Sequence, residues 1–285
     1  MINIELGRTG EKIPILGQGT WGIKKFHNKE ELTKIKATIE RGIEIGMTHI
    51  DTAELYGGGK AEEVVGEVIA NNRRDDLFIT SKLFPMHLGE KAMKKACDKS
   101  LRRLGIDCLD LYLVHFPSFF GPKIKKHMKV MEELLKEGKT RYIGVSNYSV
   151  KQFKEAQSYL KNTQLVTNQL VCNISKQKHI IKSLPYYQKE GVTLTAYSPS
   201  SHSGFTNLKG ILREKLEKTA DANSATIQQI AIAWLINHDN VITIPRAFQL
   251  DHLHSNSEAV NIKLSQEEMK LLQNFNVKIL NSIKK

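Results

Sequence analysis

Apolar and polar positions along this chain follow two periods. Short runs apolar on both faces, "MTHIDTA", "DLFITSKL", "LDLYLVH", "RYIGVSN", "QLVTNQL", "VTLTAYS" and "VITIPR", recur every few tens of residues, at strand length. Between them the apolar positions take helical spacing. Met93, Cys97, Leu101 and Leu104 fall on one face, with Gly105 as terminator, and Ala61, Val64, Val65, Val68 and Ile69 make another stripe. Strands apolar on both faces, separated by amphipathic helices, predict parallel pairing, because each crossover helix covers the sheet. Adding "PILGQGT" gives eight strands. Eight such units without a Pro/Gly/Ser-rich linker predict an α/β protein built as a single (β/α)8 TIM barrel, one domain over residues 1–285. An open doubly wound sheet is the competing arrangement. Ahead of the barrel, "INIELGRTGEKIPILG" has two short apolar stretches around a Gly-Glu-Lys turn and predicts an N-terminal β-hairpin.

Composition narrows the class. A hydrophobic fraction of 40% and a charged fraction of 25% are those of a globular protein, and no window holds the roughly 18 apolar residues of a membrane span. The N-terminus lacks a basic segment followed by an apolar one, so a cytoplasmic location is expected. Cys97, Cys108 and Cys172 are odd in number and widely spaced, which reads as reduced thiols and no metal site. The net charge of +12 raises the question of a polyanion partner. Yet the lysines are spread over nearly every predicted helix without interleaved aromatics, so neither nucleic acid nor membrane is an expected partner. Solvated helix faces and attraction for an anionic cofactor account for the charge.

"GQGTWG", Gly17 to Gly22, matches the G-x-G-x-x-G of dinucleotide-binding Rossmann proteins. That fingerprint requires a helix to start at once and an acid at the next strand end about 20 residues on. Here no helical pattern begins until "NKEEL", Asp51 comes too late, and Trp21 would obstruct a phosphate. The segment reads as the loop after the first barrel strand, with Trp21 turned toward a pocket.

Chemistry enters at three consecutive strand ends. "HIDTAELYGGG" carries Asp51 and Tyr56, "FITSK" ends at Lys82, and "LDLYLVH" ends at His115. In a parallel barrel the C-terminal strand ends share one rim, so these four side chains are expected to meet. Ionisable groups at buried strand ends are costly unless they pair. An ammonium beside Tyr56 is expected to lower the phenol from about 10, with Asp51 holding Lys82 protonated. His115 then orients a carbonyl oxygen, and Tyr56 becomes a general acid for the alkoxide that forms. The hydride must come from a nicotinamide cofactor, because no side chain supplies one.

With "GQGTWG", "HIDTAELYG", "TSKL", "LDLYLVHFP", "GKTRYIGVSN", "TNQL", "TAYSP" and "ITIPR" in this order, the chain resembles the aldo-keto reductases over almost its whole length. The resemblance implies a (β/α)8 barrel, NADPH bound without a Rossmann domain, and reversible reduction of an aldehyde or ketone, with Asp51, Tyr56, Lys82 and His115 as the catalytic tetrad. It assigns the nicotinamide carboxamide to Ser146, Asn147 and Gln169, the stacking ring to Tyr197, and the pyrophosphate to Ser198 and Ser200. Gly19, Thr20 and Trp21 join the cofactor site, as do Ala247 and Phe248. Arg246 stands where the family usually has lysine for the 2′-phosphate, Ala247 replaces a frequent serine, His252 takes the place of an arginine, and Asn256 meets the adenine. NADPH is therefore favoured, with NADH possible. Cys172, where many relatives have tyrosine, reads as structural. The competing role for Ser146 and Asn147 is a helix N-cap.

Pocket walls are expected from Trp21, Tyr56, His115, Phe116 and the loops "FPSFFGPKIKK" and "SPSSHSGFTNLKG". The short tail after the last helical pattern predicts an open site and broad acceptance of small aldehydes. A monomer or weak homo-oligomer is expected. Two other readings remain: a cofactor-binding barrel that serves as a regulatory subunit, and a phosphate-binding barrel isomerase with no nicotinamide.

Overall fold

The computed structural model describes residues 1–118, 123–200, 205 and 208–273. Strands β1 (Asn3–Glu5) and β2 (Lys12–Pro14) pair antiparallel as the expected hairpin. Eight parallel strands follow in sequence order: β3 (Gln18–Gly19), β4 (His49–Asp51), β5 (Phe78–Leu83), β6 (Leu109–Val114), β7 (Thr140–Ser146), β8 (Thr167–Val171), β9 (Thr193–Tyr197) and β10 (Val241–Thr243). The sheet closes on itself. Leu16 bridges Thr243 in parallel, with Gly17 N donating to Thr243 O at 2.9 Å and Thr243 N to Ile15 O at 3.0 Å. The hairpin plugs the N-terminal end, where Leu6, Ile13 and Ile15 pack with Phe78, Leu111, Leu113 and Ile242.

Helices α1 (Lys29–Glu44), α2 (Lys60–Ile69), α3 (Glu90–Leu104), α4 (Ile124–Lys136) and α5 (Val150–Ser158) cover β3 to β7. The simple alternation then breaks. Two short helices, α6 (Lys178–Lys182) and α7 (Leu184–Glu190), follow β8, and α8 (Ile211–Ala222) is added before α9 (Ile227–Ile236). Helices α10 (Leu250–Glu258) and α11 (Gln266–Gln273) follow β10. The apolar stripes lie where their spacing puts them: Ala61, Val64, Val65, Val68 and Ile69 of α2 and Met93, Cys97, Leu101 and Leu104 of α3 are all buried, and Gly105 ends α3 at φ 67°. Capping boxes at Asn28, Ser149 and Thr226 start α1, α5 and α9, each cap contributing about 1 kcal/mol.

Period two decides what each strand shows to each side. On β5, Ile79 and Leu83 belong to the core between sheet and helices, and Ser81 reaches α2. Phe78, Thr80 and Lys82 therefore face the barrel interior. On β4 the same alternation turns His49 and Asp51 inward and Ile50 outward. Gly17 and Gly19 have a packing reason rather than a phosphate one. A Cβ on Gly17 would lie 2.8 Å from His49 Nδ1, and one on Gly19 2.7 Å from Ile244 O, so the barrel seam needs both glycines. Gln18 and Gly19 form β3, inside the expected strand "PILGQGT", so only the end of "GQGTWG" is the loop that follows it.

Candidate active site

The floor of the C-terminal rim is a buried ammonium. Lys82, 0% exposed, is placed by β5 in register with Leu113 of β6 and one strand away from Asp51 of β4. Its three N–H groups have three acceptors: Asp51 Oδ1 in a short contact, Thr52 O at 2.8 Å and Tyr56 Oη at 3.3 Å. Gln169 Nε2 donates to the second Asp51 oxygen at 2.7 Å, so both oxygens are engaged. Tyr56 reaches the lysine from a 3-10 turn, Tyr56–Gly59, whose glycines at 57, 58 and 59 have φ of 60°, 66° and 99°. Only glycine adopts such a run without strain. His115, held by its N–H to Leu83 O at 3.0 Å, sets its ring edge-on to Tyr56 with centroids 5.6 Å apart. Asp51, Tyr56, Lys82 and His115 thus lie together.

Burial governs their titration. It pushes the His115 imidazole down to about 3, with the Lys82 charge adding to the shift, so the ring is neutral and carries one N–H. Its Nδ1 is buried with no partner among the described residues. Burial opposes the Lys82 charge, but Asp51 and then Tyr56 outweigh it and the ammonium is raised above its ordinary value. The expectation that Lys82 lowers the Tyr56 phenol is corrected. Burial pushes it up, Lys82 pulls it down, Asp51 pushes it up again, and the net direction is upward. Burial is the largest of these, and the Asp51 carboxylate offsets part of the ammonium's pull toward phenolate. Tyr56 is a protonated phenol at neutral pH.

Beside this group lies a polar collar. Asn147, at φ 62°, donates from Nδ2 to His115 O and Ser146 Oγ, both at 3.0 Å, and accepts from the Tyr197 hydroxyl at 2.8 Å. Ser146 Oγ donates to Gln169 O at 2.9 Å. The helix-cap role for Ser146 and Asn147 is excluded, because Ser149 caps α5. Gln169 faces Asp51, an orientation sequence does not reveal. Ser198 takes φ 54° and its carbonyl accepts from Asn173 at 3.0 Å; Ser200 follows in the same loop, half-buried.

Across the barrel mouth, Arg246 is exposed, with its guanidinium 5.6 Å from the Trp21 ring centroid and 5.3 Å from that of Phe248. A Cβ on Gly22, at φ 103°, would lie 2.5 Å from Arg246 Nη1. No carboxylate pairs with Arg246 among the described residues. Thr20 donates from Oγ1 to Asp51 O at 2.9 Å, and Gly19 N to Pro245 O at 3.0 Å, which ties β3 to both neighbours. Ala247 is half-buried after β10, and His252 and Asn256 lie on α10, the first exposed and the second half-buried. A cation without a counter-charge, a half-exposed Tyr197 ring and a cluster of amide and hydroxyl groups fit an anionic dinucleotide with a planar carboxamide end. Cys172 is fully buried among apolar groups, which push its thiol up to about 12.

Trp21, 51% exposed, stands on the rim, and the Phe116 ring packs on His115 at 5.5 Å. The sequence reading missed Phe84, whose ring meets Phe116 at 5.8 Å and extends this wall. Its signal was available: an aromatic follows the polar strand end in "SKLF" as in "VHF". It also missed Glu54, which accepts from Phe84 N at 2.5 Å and contacts His87 Nε2 at 3.1 Å, fixing the loop beneath that wall. Much of the expected wall loops, 119–122, 201–204 and 206–207, and the tail 274–285 lie outside the described residues. No described helix is long and apolar enough to cross a membrane.

Comparison with known proteins agrees with this architecture. Residues 15–277 match the family described as Aldo/keto reductase family. Methylglyoxal reductase YeaE of Escherichia coli (strain K12) is 35% identical over 263 residues, covering 91% of this chain and 90% of its own length. Glyoxal reductase of Bacillus subtilis (strain 168) is 31% identical over 271 residues, 94% of this chain and 90% of its own. Among solved structures, the thermostable aldo-keto reductase Tm1743, in complex with the inhibitor epalrestat, is 42% identical with a TM-score of 0.90 over 96% of this chain and 99% of its own. An aldo-keto reductase from Klebsiella pneumoniae in complex with NADPH is 33% identical, with a TM-score of 0.85 over 95% and 94%. On the family match across most of its length, the chain belongs to the aldo/keto reductase family.

Proposed function

We propose that this chain, acting as one domain over residues 1–285, is an NADPH-dependent reductase of small aldehydes and ketones. The observation that carries the reading is the Tyr56 phenol within hydrogen-bond reach of the buried Lys82 and edge-on to the His115 ring, at the rim where barrel enzymes place their chemistry. When bound, the nicotinamide cofactor supplies the hydride. Ser146, Asn147 and Gln169 would hold its carboxamide, the Tyr197 ring would face the nicotinamide, Ser198 and Ser200 would meet the pyrophosphate, and Arg246 would hold the 2′-phosphate, with His252 and Asn256 toward the adenosine. His115, neutral, donates one N–H to the carbonyl oxygen and orients it. Tyr56 donates its proton to the same oxygen as charge develops there. Lys82 stabilises the phenolate left behind, and Asp51 keeps Lys82 charged through the cycle.

The relatives named for methylglyoxal and glyoxal reduction point to small dicarbonyls. Trp21, Phe84 and Phe116 add an aromatic wall suited to planar aldehydes. The test is nicotinamide absorbance decay with purified protein, NADPH and a panel of dicarbonyl, aliphatic and aromatic aldehydes. Turnover across the panel supports the reading. Cofactor binding without turnover of any member overturns it in favour of a binding subunit.

A further inference from the structure

Tyr56 sits on a short turn whose backbone is held by Tyr56 N to Ala53 O at 3.0 Å and Gly58 N to Leu55 O at 3.3 Å. The three glycines after it adopt left-handed φ and carry no side chain that could anchor the turn. Those backbone bonds leave the glycine face of the turn to be packed by its neighbours. Beneath Gly59 runs the Arg103 side chain of α3: a Cβ on Gly59 would lie 2.8 Å from both Arg103 Cδ and Nε. The guanidinium grips Glu62, on the first turn of α2, through Nε at 2.6 Å and Nη2 at 2.5 Å. Glu62 is 0% exposed, and its other oxygen accepts from Ser81 Oγ at 2.6 Å. Ser81 is the outward neighbour of Lys82 on β5, so a chain of contacts runs from the Tyr56 turn through the partly buried Arg103 and the buried Glu62 and Ser81 to the strand that carries the ammonium.

Stability alone does not explain such a pair, since replacing a buried ion pair by uncharged groups of like size is often neutral or favourable. We infer that Glu62 and Arg103 are positioning residues that clamp the Tyr56 turn onto β5 and so hold the phenol in register with Lys82. This rests on the reading of Tyr56 as proton donor. Groups facing the phenol come from four strands or their ends: Asp51 from β4, Lys82 from β5, His115 after β6 and Tyr197 from β9. Loosening the clamp shifts the phenol among these without touching any of them.

The test is the double variant Glu62→Gln/Arg103→Met, which removes both charges and leaves no unpaired ion, with Ser81→Ala as a milder cut of the same chain. Protein labelled with 3-fluorotyrosine gives one fluorine resonance per tyrosine, and Tyr56→Phe assigns that of Tyr56. The expected result is a thermal midpoint close to that of the parent, a Tyr56 resonance displaced with its titration moved by about one unit or more, and kcat lowered about tenfold to a hundredfold at unchanged NADPH Kd. A Tyr56 resonance and titration superimposable on the parent's, in either variant, overturns the inference. Should the parent itself reduce no aldehyde, the reading of the site fails, while the fluorine resonance still decides whether the clamp sets the phenol.

Discussion

Replacing Asp51 by asparagine removes the counter-charge of a fully buried ammonium while keeping size and shape. Lys82 retains neutral acceptors, Thr52 O, Tyr56 Oη and the new amide oxygen, but no carboxylate. An opposite charge about 4 Å away at an effective dielectric near 20 is worth about 4 kcal/mol. Loss of one partner of a buried pair costs about 3–5 kcal/mol. The two figures agree, so Asp51→Asn is expected to lower unfolding free energy by about 3–5 kcal/mol at pH 7, read from urea midpoints at constant m. The pH dependence has a definite sign. In the parent, folded Lys82 is raised above its unfolded value, so its contribution is fully present below that value and is lost only as pH rises through the folded pKa. In the variant, burial is opposed only by the Tyr56 contact, and the folded value is expected to drop below the unfolded one. The penalty is then present at neutral pH and shrinks as pH climbs toward 10. A loss under about 1 kcal/mol, or one that stays constant from pH 7 to pH 10, would refute the claim that Asp51 keeps Lys82 charged.

Three further outcomes are expected. Arg246→Ala should weaken NADPH by about tenfold or more, as measured by fluorescence titration, and leave NADH nearly unchanged, since only the former offers a 2′-phosphate to the cation. Gly19→Ala should lower the thermal midpoint by the equivalent of about 1–3 kcal/mol, because its methyl would press on the Ile244 carbonyl across the barrel seam. Ser149→Ala should cost about 1 kcal/mol in urea unfolding by removing the α5 capping box, without moving the cofactor affinity that an Asn147 cap role would have altered.

The barrel was legible because the physics that forms it is periodic. Runs such as "LDLYLVH" are apolar on both faces only if helices and lumen cover them, and period two then turns Asp51 and Lys82 inward. The meeting of Asp51, Tyr56, Lys82 and His115 follows from strand ends sharing a rim. What sequence concealed are balances and orientations. The direction of the Tyr56 shift depends on how far burial outweighs a charged lysine whose pull Asp51 partly offsets. The turn of Gln169 toward Asp51 depends on the barrel's curvature, which brings β8 opposite β4. The added helix α8 has the same amphipathic spacing as a crossover helix, so alternation alone does not separate the two. Phe84 was passed over because a lone aromatic after a strand end looks like core until its neighbour Phe116 is seen against it.

The central claim is that Tyr56 delivers the proton as the carbonyl is reduced. It is tested most directly by a single-turnover experiment, in which protein saturated with NADPH is mixed with aldehyde and nicotinamide absorbance is followed for the parent and for Tyr56→Phe. The account predicts a rate lowered by at least about a hundredfold with NADPH affinity intact. Equal single-turnover rates for the two proteins would contradict it.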